Sequence, residues 1–127
     1  MSDDADAHAA ALAVMDAHVA ALNARDEAAL AATLHFPHYR LSQGRLQVWE
    51  TPDDYFAHFL ARAGEDWHHT VWDDLSLIAA VPDKVHLDVR FTRYREDGTA
   101  LGHFRSLWVI ARLDGKWAAQ LRSSFAA

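Results

Sequence analysis

Residues 18–34 read HVAALNARDEAALAATL, and the architecture on both sides is set by how this run is divided. Upstream, Leu12, Met15, Val19 and Leu22 recur at three- and four-residue spacing, which predicts a helix over residues 5–24. The acids at its start suit the positive end of the helix dipole. Asp26 is placed to cap a second, short helix through EAALAATL. Then comes HFPHYR (residues 35–40), where Pro37 disfavours helix at Phe36, so the chain is expected to leave the helix there and enter a strand. HYRLS and RLQVW flank Gln43-Gly44 as a hairpin. Thr51 as cap, Pro52 at the first helical position and Asp53 and Asp54 in the first turn predict a third helix. Tyr55, Phe56, Phe59 and Leu60 give it a buried face, and Gly64 ends it.

After Gly64 the apolar period changes to two. Strands are expected at about 68–79, 84–95, 100–112 and 116–125, separated by the turn signals VPD, EDG and LDG. Helices followed by an antiparallel meander mean an α+β fold with helices packed on one side of a curved sheet. A chain of 127 residues suits a single domain, 1–127, with one core.

Composition excludes several functions. No apolar stretch reaches the ~20 residues of a membrane span. The acidic start MSDDADAHAA is the wrong charge for a secretory or organellar signal, so a cytoplasmic location is expected. Without cysteine there is no disulfide framework, thiolate zinc site or cysteine nucleophile. The net charge of −6 is uneven: residues 1–83 hold 14 acids and 4 bases, residues 84–127 hold 4 acids and 8 bases. Those bases alternate with apolar strand residues instead of clustering, so no nucleic-acid footprint is expected. RSSF (residues 122–125) has neither elbow glycines nor an activating histidine, which argues against a serine nucleophile.

AALNARD (residues 20–26) closing the first helix, the order of elements after it, and DGKW (residues 114–117) entering the last strand resemble the nuclear-transport-factor-2-like superfamily, in its ketosteroid-isomerase-like and SnoaL-like branch. The resemblance covers nearly the whole chain. It implies a cone: a curved, mostly antiparallel sheet wrapped around the three helices, a cystatin-like α+β roll with a pocket inside. It also implies cofactor-free chemistry or none, and a homodimer formed through the outer sheet face. The isomerase's tyrosine falls at His18, its base aspartate near Ser42 and its protonated aspartic acid near Leu107. Neither Ser42 nor Leu107 replaces a carboxyl group of tuned pKa, so a steroid isomerase of that type is excluded.

Alternation groups the residues of each strand by face, and the resemblance implies which of those faces lines the cone. Val85, Leu87, Val89 and Phe91 share a face, and pairing through EDG sets Leu101, His103, Arg105, Leu107 and Val109 beside them. Gln120, Arg122 and Ser124 join this inner face, as do His38 and Arg40; Tyr55 closes the pocket from the third helix. His18 lies about 80° from the centre of its helix's apolar stripe, a border position. Buried arginines without counter-charge cost several kcal/mol each. Two readings stay open: an internal ion-pair network, with Asp74 as a partner, or a site for a small ligand with an anionic or carbonyl group. In the second reading Arg40, Tyr55, Asp74, His103, Arg105, Arg122 and Ser124 bind, and His38 or His18 moves a proton in an isomerisation, dehydration or cyclisation. The alternative is a non-catalytic ligand-binding or dimerisation module. No metal site is expected, because Pro37 breaks the helix that would align His35 with His38, and His68 and His69 point to opposite faces of a strand. The outer face is expected to carry Tyr94, Phe104, Trp108 and Trp117 and to form the dimer.

Overall fold

The computed structural model describes residues 3–125. The order is α1 (Asp3–Ala24), α2 (Glu27–Ala31), β1 (Leu34–Ser42), β2 (Arg45–Trp49), α3 (Pro52–Ala63), β3 (His69–Val81), β4 (Lys84–Tyr94), β5 (Ala100–Leu113) and β6 (Lys116–Ser124). The six strands form one sheet in the order β2-β1-β6-β5-β4-β3. Among the described residues, only the β1–β6 pair is parallel. The fold is the expected α+β cone.

AALNARD does its work at the joint between α1 and the sheet. The Asn23 side chain donates to the Thr70 carbonyl and accepts from the Thr70 amide, both at 2.8 Å, so it pairs with β3 as a strand residue would. Arg25 has φ 54, which ends the helix and turns its guanidinium onto the carbonyls of Trp67 and His68. It lies 4.3 Å from the centre of the Trp67 ring. Asp26 caps α2 through the Ala29 amide at 3.1 Å. Three consecutive functions in four residues explain why this stretch decides the fold.

HFPHYR lies within β1 rather than ahead of it. Pro37 has no N–H for a ladder, and the β1–β6 pairing is interrupted between Leu34 and Tyr39 to accommodate it. The Pro37 carbonyl is still used, accepting from Gln120 at 2.8 Å.

The facing expected for β5 is corrected. A simple hairpin through EDG puts Phe91 opposite His103, but the observed register pairs Phe91 with Phe104, Val89 with Ser106, Leu87 with Trp108 and Val85 with Ile110. The cause is a β-bulge: Tyr94 pairs with Ala100 and Arg93 with Gly102, leaving Leu101 as an extra residue. One extra residue reverses every later side chain. The core therefore contains Trp108 and Ile110, at 1% and 0% exposure, while His103 and Arg105 lie outside. Two further bulges act similarly. Asp73 is the extra residue between Trp72 and Asp74 and leaves Asp74 exposed opposite Arg90; Gln120 is the extra residue between Ala119 and Leu121. The expected outer-face set is corrected too. Trp108 is buried, the Phe104 ring stacks on Phe91 at 5.3 Å, Trp117 packs against the core, and of the four only Tyr94 pairs on the outward side.

Candidate functional site

The interior contains four arginines. Arg40 stands on β1, Arg93 on β4, Arg122 on β6 and Arg62 in the last turn of α3. Arg40, Arg93 and Arg122 are buried, and Arg62 is half-buried. Arg40 and Arg122 are adjacent because β1 and β6 pair them directly. Their apolar surroundings are aromatic. Arg122 lies 4.7 Å from the Trp108 ring and 5.2 Å from Tyr55; Arg93 lies 4.7 Å from Phe104 and 5.4 Å from Phe59. Such contacts offset part of the desolvation of a guanidinium.

Their polar partners are few. Arg40 donates to Gln47 Oε1 at 3.1 Å, and Arg122 donates to the Tyr55 hydroxyl oxygen. The Nε atoms of Arg62, Arg93 and Arg122 are buried with no hydrogen-bond partner. Among the described residues one ion pair forms, Arg105–Asp88 at 2.8 Å, and it is on the outer face. The four inner guanidiniums therefore act on one another electrostatically, and among the described residues none of them pairs with a carboxylate. Burial first, and the Arg122 charge second, lower Arg62 to about 9, Arg93 to about 10, and Arg40 from its ordinary value.

Two histidines share this interior. His38 is fully buried, and its Nδ1 is 3.1 Å from the Ala119 carbonyl. A carbonyl only accepts, so Nδ1 carries the proton and Nε2 presents a lone pair; that Nε2 is buried without a partner. Burial and the nearby Arg122 push His38 down to about 3. His18 is also buried, with Nδ1 2.8 Å from Thr33 Oγ1. The Thr33 hydroxyl donates to the Leu30 carbonyl at 2.7 Å, so His18 Nδ1 is the donor to Thr33. Burial, then Arg122 and His38, hold His18 well below its usual value. His35 points elsewhere, its Nε2 bonding the Ala111 carbonyl at 2.9 Å, so it does not converge with His38.

An open cleft of about 420 Å³ lies between the β1–β2 hairpin and α3, and Arg40, Arg45, Gln47, His58 and Arg62 line it. Two of the four inner arginines thus reach a cationic mouth.

Of the residues expected at the site, the structure brings together His18, His38, Arg40, Tyr55 and Arg122, and sets Ser124 opposite Ser106 on the inner side of the same sheet. It does not bring in three. Asp74 is exposed and accepts from Ser76; Arg105 is exposed and grips Asp88 through Nε and a terminal nitrogen at 3.0 and 2.8 Å. His103 is exposed and its Nδ1 lies 2.8 Å from Thr92 Oγ1, which donates to Asp73. Sequence reasoning missed Arg62 and Arg93, although both carried a signal. Arg62 stands seven residues after Tyr55 and three after Phe59, on the buried stripe of α3, and Arg93 continues the alternation of Val89 and Phe91 by one step.

The backbone is similar to several solved structures. One is a protein of unknown function with a cystatin-like fold from Nostoc punctiforme: 13% identity, TM-score 0.71, covering 91% of this chain and 87% of that one. Another is an NTF2-like protein from Cytophaga hutchinsonii, with 20% identity, TM-score 0.69 and coverage of 91% and 94%. A third is an NTF-2 like protein of unknown function from Shewanella oneidensis, with 10% identity, TM-score 0.70 and coverage of 94% and 98%. At these identities the likeness shows the fold. No curated protein matches the chain. A family model described as NTF2-like protein (DUF6841) matches residues 9–119, from within α1 to β6, and the chain belongs to that NTF2-like family.

Proposed function

We propose that this protein binds a small organic carboxylate inside the cone, as a ligand-binding module without chemistry of its own. One observation carries the reading: three buried guanidinium Nε atoms lack any partner, and no described carboxylate pairs with the four inner arginines. Buried charges are ordinarily paired, and an uncompensated cluster costs several kcal/mol per ion. An anion entering by the cleft would neutralise part of that charge, and Trp49, Phe59 and Trp108 offer apolar surface to its carbon chain. The catalytic alternative, proton transfer by His38 or His18, has less support. Both rings are held by a backbone carbonyl or a threonine hydroxyl and not by a carboxylate, and a histidine at about 3 is a weak base at neutral pH.

The test is a set of melting curves with acetate, propionate and butyrate against the matched amides. The acids are expected to raise the melting temperature, with the effect lost in Arg122→Leu. Equal shifts with acids and amides, or none at 10–100 times a millimolar Kd (roughly 2.7 kcal/mol at the upper end), would sink the anion reading.

The outer sheet face we assign to a second copy of the chain. Tyr39 pairs with Leu121, Leu121 with Val109, and Leu41 with Ser123 beside Leu107, a row of largely apolar groups with Leu41 and Leu121 exposed. Leu121→Glu is expected to sediment as a monomer where the parent sediments as a dimer. A parent that is monomeric, or a variant that stays dimeric, rejects this face.

A further inference from the structure

The donors and acceptors around the four inner arginines are unbalanced in a way that describes the ligand more closely. Arg40, Arg62, Arg93 and Arg122 supply only N–H donors. The Tyr55 oxygen accepts from Arg122, which leaves its own proton free to donate. Gln47 Oε1 accepts from Arg40. Among the buried side-chain atoms of the described residues that have no partner, the acceptor is His38 Nε2, on a ring with 0% exposure whose other nitrogen is committed to Ala119.

We propose that His38 is a specificity-determining residue whose Nε2 accepts a hydrogen bond from a hydroxyl on the ligand, so that the site selects short hydroxycarboxylates over the corresponding unsubstituted acids. The inference rests on the anion reading above and narrows it. A plain carboxylate satisfies guanidiniums and leaves the buried lone pair empty. A hydroxyl on the same molecule fills it. His38 and Arg40 are two residues apart on one strand face, ~7 Å between Cα atoms. A two- to four-carbon acid hydrogen-bonded at both ends bridges that interval. His38 and Tyr55 are close, with ring centres 5.4 Å apart and perpendicular, so a carboxylate at Arg122 and the Tyr55 hydroxyl lies next to the imidazole.

Protonation of His38 on binding is the competing role, and charge decides against it. Arg62, Arg93, Arg122 and Arg40 all act on this interior, and a monocarboxylate supplies one negative charge against four positive ones. The imidazole stays neutral, and a neutral Nε2 accepts. Filling an otherwise unfilled buried acceptor is worth roughly tenfold in affinity.

The experiment is calorimetric titration of the full chain with three pairs: glycolate and acetate, lactate and propionate, 3-hydroxybutyrate and butyrate. The hydroxylated member of at least one pair is expected to bind about tenfold tighter, and the ratio is expected to fall to about one in His38→Phe. Should that variant fail to fold, the ¹⁵N resonance of His38 Nε2 in the parent is expected to move with the preferred hydroxy acid and not with its partner. Binding of both members equally in every pair overturns the role of His38 and leaves the anion reading standing. Binding of no acid overturns both. A ratio that survives His38→Phe, or an Nε2 resonance indifferent to the hydroxyl, assigns the preference to another group and overturns the inference.

Discussion

Between pH 7.5 and pH 4.5 the protein is expected to lose about 3 kcal/mol of folding stability through His38 alone. In the native state His38 is held near 3, and its ordinary value is 6.5. Below 6.5 the unfolded chain takes up a proton that the folded chain refuses, so each further pH unit costs about 1.4 kcal/mol until the folded value is reached. The stabilisation is complete above 6.5 and is gone below about 3. His18, displaced in the same direction by burial and by Arg122, adds to the slope. Against a typical domain stability of about 5–15 kcal/mol, this places acid unfolding well above the range in which carboxylates alone would cause it. Urea unfolding at the two pH values, in the parent and in His38→Phe, provides the check. The variant is expected to lose about 3 kcal/mol less over the interval. Equal losses would show that His38 is protonated in the folded protein, contrary to its buried, carbonyl-bound geometry.

The second large effect is a gain. Arg62→Met is expected to stabilise the protein by about 1–4 kcal/mol while weakening carboxylate binding at least tenfold. Arg62 is half-buried, its Nε has no partner, and burial first, then Arg122 with smaller effects from Arg40 and Arg93, lowers it to about 9. Methionine retains an unbranched apolar stem against Phe59, whose ring lies 5.6 Å from the guanidinium carbon, and removes the charge. Opposite signs for stability and binding are the signature of a group retained for function. Melting and acetate titration of the one variant measure both. A drop in stability would mark Arg62 as structural, and unchanged values in both assays would mark it as a solvated rim.

Much of this arrangement follows from local chemistry. The caps at Asp26 and Thr51 are where short polar side chains before apolar runs place them, and each accepts from the expected amide, Ala29 and Asp54. His38, Arg40 and Arg122 were expected inward because alternation groups each strand by face and the family resemblance picks the inner one; all three are buried, Arg122 because the parity of β6 holds beyond Gln120. Arg62 and Arg93 were equally legible by spacing. An arginine at a helix C-terminus also suits the helix dipole in solvent, so the position of Arg62 has two explanations by sequence alone.

The sequence by itself determined the elements, their order and their caps, since these depend on residues a few positions apart. Only the tertiary structure decided which way β5 faces and which cations meet. Leu101 is accommodated as a bulge because β4 pairs with β5 at Val85–Ile110 and Leu87–Trp108, burying large apolar groups far along the strands, and no signal at the turn reports that distant preference. The four arginines come from four separate elements, β1, β4, β6 and α3, and only their packing brings the charges within reach of one another. Their repulsion, and the vacancy of His38 Nε2 beside them, exist only once long-range packing has removed the water that would otherwise have solvated each one.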